Sequence, residues 1–347
     1  MTLEEFLEEW NNDSEQVMVH TSGSTGKPKP MWVEKRRMEA SARITCDFLG
    51  LKEGDTALLC MSLDYIAGKM MVVRSLVRNL KLIVVEPTGN PLANVAVSKI
   101  DFAAMVPMQV YNSLQVPQER ERLKQIKHLI IGGGAIDEAM ASELKDFPNY
   151  VWSTYGMTET LSHIALRRLN GPEASEWYKP FPSVEISQND DGCLVIDAPQ
   201  LCSERLVTND IVEISEAGFR IIGRKDNVIC SGGIKIQAEE VERILKPYVH
   251  DPFLITKRKD QKFGEIVVMM VEDRGKATGR RAELGNERKE EREERESLKT
   301  RLQSLCREHL PKYWQPRDFV FVEKLPMTET GKPARKQAEE LATQNYS

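Results

Sequence analysis

No stretch of the sequence approaches the ~20 consecutive apolar residues that a helix needs to cross a bilayer, so no membrane span is expected. The opening segment, MTLEEFLEEWNNDSEQ, lacks the cationic start and apolar centre of a secretion signal. Cysteine is sparse: Cys46, Cys60, Cys193, Cys202, Cys230 and Cys306 lie far apart, and none forms a C-x-x-C pair. They read as reduced thiols of a cytoplasmic protein, which argues against a zinc cage or a disulfide frame. A surplus of cations is also missing. The 48 Lys and Arg stand against 53 Asp and Glu, a net of −5, whereas a general nucleic-acid binder needs the opposite balance. There is no internal repeat. What remains is a globular chain of 347 residues, long enough that two domains are expected.

Residues 1–12 place Leu3, Phe6, Leu7 and Trp10 on one helical stripe. Val17-Met18-Val19 then runs into a Gly/Ser/Thr-rich loop. The patterning predicts helices over 36–49, 66–80 and 137–146, and a helical region ending near 125. Strands are predicted at 56–61, 82–85, 101–106, 127–131 and 149–153. Short apolar strands alternating with helices indicate an α/β fold, a mainly parallel sheet covered on both faces. After about residue 180 the pattern changes to short extended pieces (VEIS, CLVI, IVEI, FRII) split by turns such as Asp190-Asp191-Gly192, which predict a small antiparallel β subdomain. A boundary near Gly223–Asn227 gives a large N-terminal domain of 1–224 and a small α+β C-terminal domain of 225–347. The latter is predicted to hold a helix at 237–246, strands near 253–256, 265–271 and 318–322, and a charged, solvated helix over 280–301.

The strongest local signal is Thr21-Ser22-Gly23-Ser24-Thr25-Gly26-Lys27-Pro28-Lys29. Glycines let a backbone fold closely around phosphate oxygens, hydroxyls donate to them, and lysine supplies charge. A Walker A loop would need Gly at 21 and Ser or Thr at 28, so this is a different phosphate loop. Nor does Gly132–Asp137 fit G-x-G-x-x-G, because 137 is Asp.

Further motifs follow in order: Gly133-Gly134-Ala135, Ser153-Thr154-Tyr155-Gly156-Met157-Thr158-Glu159-Thr160, Thr208-Asn209-Asp210, Gly223-Arg224-Lys225-Asp226, Ser231-Gly232-Gly233-Ile234-Lys235 and Thr328-Glu329-Thr330-Gly331-Lys332. Together with the loop, they resemble the motif series of the adenylate-forming superfamily, which includes acyl-CoA synthetases, adenylation domains and luciferases. The resemblance covers about residues 17 to 337. It implies a carboxylic acid activated by ATP as an acyl-adenylate and passed to coenzyme A, with a C-terminal domain that rotates between the two steps.

The resemblance also implies roles. Thr21, Ser22, Ser24, Thr25 and Lys27, with Gly23 and Gly26, would hold the β- and γ-phosphates of ATP, and Gly133, Gly134 and Ala135 would flank adenine. Tyr155, Gly156 and Met157 belong to the same nucleotide surface; Tyr155 alone could equally be core packing. Thr158 would touch the α-phosphate and Glu159 would bind Mg2+. Asp210 would accept the ribose hydroxyls with Arg224 assisting. Asp226 would be the hinge, Gly232 and Gly233 would approach the thiol's arm, and Lys332 would bridge carboxylate and α-phosphate in the transition state. Taken singly, Glu159, Asp210 and Lys332 are an ordinary surface carboxylate, turn residue and solvated lysine; their joint order gives them weight.

Two departures from the pattern stand out. The phosphate loop begins at 21, where family members have well over a hundred residues before it, so the large domain is expected to be a reduced version, either a homodimer or one with a more open acyl pocket. The usual T-G-D is Thr208-Asn209-Asp210; asparagine tolerates the left-handed backbone that glycine would supply. For the acid, Tyr65 sits where the family has an aromatic or His entry to the acyl pocket, and Arg74 falls on the apolar stripe of Met70, Val73 and Val77. A structural salt bridge or a snorkelling side chain would explain Arg74; so would a second substrate carboxylate. The latter arrangement is similar to that of o-succinylbenzoate-CoA ligases of menaquinone synthesis, as is the run Met157-Thr158-Glu159-Thr160-Leu161-Ser162-His163. His163 would line the pocket or serve in capping or packing. Another acyl- or aryl-acid ligase, a carrier-protein-loading adenylation enzyme and a non-catalytic nucleotide-binding relative are the rival readings.

Overall fold

Apolar runs four to six residues long, each followed by a helix, set the architecture of the first part of the chain. The computed structural model describes residues 1–20, 30–95, 99–134, 136, 138–273, 287–328 and 333–344, the side chains of 287–292 excepted. Two compact units result. The first is Met1–Asn189 with Leu194–Thr208 and Ile214–Arg220; the second is Asp190–Cys193 and Asn209–Glu213 with Ile221–Ser347. The division therefore falls after Arg220, four residues before the sequence-based boundary, and assigns two short pieces of the β region to the second unit.

In the first unit α1 (Leu3–Asn11) opens with a capping box, Thr2 and Glu5 satisfying each other's backbone N–H groups. The fully buried Phe6 and the ion pair from Glu9 to the buried Lys69 (3.1 Å) fasten it. β1 (Gln16–His20) pairs antiparallel with β2 (Pro30–Glu34), so the paired strands bracket the phosphate-loop residues. The hydrophobic pattern did not reveal β2, whose side chains are mostly exposed or half-buried. α2 (Lys35–Leu49) stops at Gly50, whose left-handed backbone lets its N–H reach the last carbonyls.

Then come β3 (Thr56–Leu59), α3 (Ile66–Arg78), β4 (Lys81–Val84), β5 (Ile100–Met105), α4 (Pro107–Gln115), α5 (Pro117–Gln125), β6 (Ile126–Ile131), α6 (Glu138–Leu144), β7 (Tyr150–Gly156), β8 (His163–Arg168) and β9 (Lys179–Pro180). They form one seven-stranded sheet in the order β4-β3-β5-β6-β7-β8-β9. The first five strands are parallel and the last two antiparallel. Leu58, Ala103, Met105, Leu129, Ile131 and Val151 pack with Val110, Leu114, Leu123, Met140 and Leu144 from α4, α5 and α6. Phe102, next to Ala103 on β5, faces the other way, and α3 covers that side. The expected parallel, helix-covered sheet is present.

A four-stranded sheet follows in the order β10 (Glu185–Gln188), β11 (Cys193–Asp197), β12 (Leu206–Ser215) and β13 (Gly218–Arg224). The second unit holds β14 (Val228–Ser231), β15 (Ile234–Gln237), α7 (Ala238–Leu245), β16 (Phe253–Asp260), β17 (Gly264–Glu272), α8 (Glu287–His309), β18 (Asp318–Val322) and α9 (Arg335–Gln344). β17 explains its own sequence: Val267, Met269 and Val271 pack with α7 and α8, while Ile266, Val268 and Met270 pack with Ala338 and Ala342 of α9. Burial on both faces requires a continuous apolar run instead of alternation. α8 departs from the predicted 280–301 by running on to His309, because Leu302 and Cys306, four apart, bury into this core. Among the described residues no helix is long and apolar enough to cross a membrane.

Candidate active site

The parallel strands all end toward one edge of the sheet, and the sequence puts its chemical residues just past those ends. In open α/β sheets this edge is where ligands bind. Gly132, Gly133 and Gly134 follow β6, and Tyr155 and Gly156 end β7. Gly156 is fixed by close approach: a Cβ there would stand 2.3 Å from the Ser162 carbonyl oxygen and 2.5 Å from the His163 Cα. That contact is part of the irregular pairing of β7 with β8, where the register shifts between Tyr155 and Gly156.

Between the two strands lies one tight turn, Thr158–Thr160. Thr160 Oγ1 accepts from the Met157 N–H at 3.0 Å and lies 2.7 Å from the Ser162 carbonyl, to which it donates. Leu161 is held at φ 65°, a region that a residue with a bulky side chain rarely adopts. Its N–H donates to the Thr158 carbonyl and its side chain is buried, so the surroundings enforce the strained geometry. Thr158 is buried and Glu159 exposed; among the described residues Glu159 has no ion-pair partner. An unpaired, solvent-facing carboxylate fits a hard cation that keeps most of its water. Tyr155 is buried, edge-on to Phe219 at 5.0 Å between ring centroids.

The second cluster lies on the α3 side of the sheet. Arg74 is 2% exposed and is the largest fully buried side chain described. Its Nη2 donates to Ser162 Oγ, and its Nη1 has the Met71 sulfur at 3.8 Å. Its Nε has no partner, and the Phe102 ring lies 5.9 Å away. No carboxylate pairs with it among the described residues. Burial pulls its pKa down to about 10. His163, the first residue of β8, is also buried. Its Nδ1 is 3.2 Å from Ser162 Oγ and its Nε2 is 3.1 Å from Thr45 Oγ1. Burial, and then the neighbouring Arg74 charge, hold its pKa well below the usual value. Arg74 and His163 are thus brought together, whereas Tyr65, 54% exposed at the start of α3, does not join them. Ser162 and Thr45 were not singled out from the sequence. The only signal for Thr45 was its place on the buried stripe of Met38, Ala42 and Leu49 along α2.

In the second unit Arg224 gathers two of the motif carboxylates. Its Nη1 donates to Asp210 at 3.0 Å and its Nη2 to Asp226 at 3.1 Å. Asn209 corrects an expectation: it lies within β12 and not in the left-handed region, so Thr208-Asn209-Asp210 needs no glycine-like residue. Gly232 and Gly233, at φ 59° and 84°, make the turn between β14 and β15. Thr21, Ser22, Gly23, Ser24, Thr25, Gly26, Lys27, Ala135 and Lys332 lie outside the described residues.

Comparison with known proteins agrees with this layout. The family model for AMP-binding enzymes matches residues 4–198, and that for the AMP-binding enzyme C-terminal domain matches 256–332. A 2-succinylbenzoate–CoA ligase of Listeria monocytogenes is 25% identical, the match covering 97% of this chain and 72% of that protein. The ligase of the same name from a Geobacillus species is 25% identical over 98% and 72%. Among solved structures, an acyl-CoA synthetase (AMP-forming)/AMP-acid ligase II-like protein from Dyadobacter fermentans is 34% identical, with a TM-score of 0.63 over 96% of this chain and 91% of that one. The o-succinylbenzoate CoA synthetase of Bacillus subtilis, solved with ATP and magnesium, shares the fold at 22% identity and a TM-score of 0.69, over 92% of this chain and 69% of that one. With more than half its length matched, the chain belongs to the AMP-binding enzyme family.

Proposed function

We propose that this AMP-forming acid–CoA ligase takes a dicarboxylic aromatic acid, o-succinylbenzoate, and returns its coenzyme A thioester. The observation that carries the choice of acid is Arg74. An enclosed guanidinium without a carboxylate leaves a charge that costs several kcal/mol unless an anion meets it. A substrate with one carboxyl to activate and a second to pair with Arg74 supplies that anion, and the relatives named for this reaction support the same choice.

One substrate carboxylate oxygen attacks the α-phosphorus of ATP. The bond to the bridging oxygen breaks, pyrophosphate leaves, and an acyl-adenylate forms. The thiolate of coenzyme A then attacks the acyl carbon, and AMP departs. Two anions meet in the first step, so positioning and positive charge dominate. Thr21, Ser22, Ser24, Thr25 and Lys27 would bind the β- and γ-phosphates, Thr158 the α-phosphate, and Lys332 both reacting anions. Glu159 would hold Mg2+, which neutralises phosphate charge. Tyr155, with Gly133, Gly134 and Ala135, would border adenine. Asp210, fixed by Arg224, is a ready acceptor for ribose hydroxyls. Asp226 would mark the hinge, and Gly232 and Gly233 the path of the thiol.

The test is direct. Purified protein with Mg-ATP and o-succinylbenzoate should yield AMP and pyrophosphate, and thioester only when coenzyme A is added. Benzoate, fatty acids and amino acids should give little, and Lys332→Ala should lose the adenylation step. Turnover of a monoacid in preference would keep the ligase chemistry and remove the role given to Arg74. Acyl transfer to a carrier protein in place of coenzyme A would change the acceptor alone.

A further inference from the structure

The hydrogen bonds around Arg74 run in one direction only. A guanidinium donates and never accepts, so Ser162 Oγ must accept from Arg74 Nη2. The single Ser162 proton is then free for His163 Nδ1, 3.2 Å away. His163 Nε2 donates to Thr45 Oγ1 at 3.1 Å, because the one proton of that hydroxyl is committed elsewhere. Thr45 in turn donates to the Ser41 carbonyl, also at 3.1 Å, where the chain ends on a backbone acceptor. With the imidazole neutral, Nδ1 accepts the Ser162 proton and every hydroxyl and ring nitrogen in the series has one role. Its burial beside a cation favours that neutral form.

We propose that Ser162, His163 and Thr45 form a positioning relay that holds the Arg74 guanidinium in place for the second carboxylate of the substrate, so that these three side chains set the preference for a diacid. This rests on the substrate reading above and extends it to Ser162 and Thr45, to which the motif series gives no role. The relay uses one of the Arg74 nitrogens and leaves Nε without a partner and Nη1 with only a weak sulfur contact. Ser162 is half-buried, so the cluster reaches solvent beside Nη2. Packing alone would be served as well by apolar residues, which carry no hydrogen-bond demand. A hydroxyl, an imidazole and a second hydroxyl in series instead lock one rotamer of a side chain that otherwise has many. The strained turn at Leu161 gives the relay a fixed starting point, because it sets where the Ser162 side chain leaves the backbone.

The experiment compares o-succinylbenzoate with benzoylpropionate, the same acid without its ring carboxyl, in Ser162→Ala, His163→Phe, Ser162→Thr and Arg74→Gln full-length variants. The readout is kcat/KM for each acid, with KM for ATP and thermal unfolding alongside. Ser162→Ala and His163→Phe should each lower the diacid-to-monoacid ratio about tenfold or more, mainly through KM for the diacid, and leave KM for ATP unchanged. Ser162→Thr should restore most of the ratio. Should His163→Phe fail to fold, Ser162→Ala carries the test, since it removes one oxygen. A collapsed ratio in Arg74→Gln with an intact ratio in Ser162→Ala would overturn the relay and keep the diacid reading. An unaltered ratio in Arg74→Gln would overturn both. Equal loss for the two acids in Ser162→Ala would mean that the relay serves only the fold, which also overturns it.

Discussion

Arg74 in the first unit is fully enclosed and Arg335 in the second largely so, and the two are treated in opposite ways. Arg335, at the start of α9, donates to both oxygens of Glu242 at 3.0 and 2.7 Å and to the Ile255 carbonyl at 2.8 Å. Burial alone would lower its pKa, but the Glu242 carboxylate outweighs that and the net shift is upward. Arg74 is more deeply buried, and a hydroxyl, a thioether and a ring stand where a carboxylate would be expected. Its pKa falls to about 10. The same side chain is a fastener in one unit, complete within the fold. In the other, no carboxylate among the described residues completes the ion pair, and under the proposed function the substrate does.

The comparison breaks most plainly in stability. Glu242→Ala would strip Arg335 of its bidentate partner and leave only Glu239, 3.6 Å from its Nε, so the second unit should lose up to about 3–5 kcal/mol in urea unfolding. Arg74→Met removes a charge that no carboxylate among the described residues compensates, so stability should stay level or rise, while kcat/KM for the diacid falls. An arginine that pairs with a substrate carboxylate is worth about 2–5 kcal/mol when truncated, or roughly thirtyfold and upward at 1.4 kcal/mol per tenfold. Were Arg74→Met to unfold the first unit instead, Arg74 would be a structural residue and the contrast with Arg335 would vanish.

A smaller effect sharpens the geometry beside Arg74. Gly156→Ala would set a methyl 2.3 Å from the Ser162 carbonyl and 2.5 Å from the His163 Cα, both backbone atoms that cannot swing aside. Separating β7 from β8 by the needed distance should cost about 1–3 kcal/mol and move Ser162 relative to Arg74. The expected signature is a KM rise for the diacid larger than for ATP, measured alongside thermal unfolding. An unchanged KM with lowered stability would show that the turn tolerates the shift without disturbing Arg74.

Most of the large-scale plan was legible beforehand because burial writes itself into composition. β5 and β17 are buried on both faces and read as unbroken apolar runs, and α2, α3 and α7 carry periodic stripes. β2 was silent because its side chains are mostly exposed or half-buried, and β8 because its apolar run is only three residues long, flanked by His163 and two arginines. The end of α8 was missed because charge dominates the segment while two residues per turn-and-a-bit do the packing. For the site, motif order singled out Tyr155, Thr158, Glu159, Asp210 and Arg224, because each motif is contiguous in the sequence. The partners of Arg74 were not legible. Thr45 and Ser162 are separated from it by 29 and 88 residues, and hydroxyl pairing across such distances leaves no periodic trace.

A third arginine sets the lower end of the scale. Arg224 is paired like Arg335, to Asp210 at 3.0 Å and Asp226 at 3.1 Å, but its side chain is 39% exposed. Water screens both pairs, so stability should hardly depend on them, within about 0–1 kcal/mol. Asp210→Asn keeps the shape and removes the charge. If Arg224 exists to hold Asp210 for ribose hydroxyls, unfolding should be nearly unchanged while KM for ATP rises about tenfold, because an amide offers one acceptor oxygen where a carboxylate offers two. KM for the acid should stay put, the reverse of the pattern expected from Arg74. A stability loss as large as that of Glu242→Ala would place Arg224 with Arg335 among the fasteners. An unmoved KM for ATP would take Asp210 out of the nucleotide site. Under the proposed function, burial and pairing together separate three arginines of one chain: largely enclosed and ion-paired for the fold, exposed and ion-paired for the nucleotide, buried with no carboxylate among the described residues for the acid.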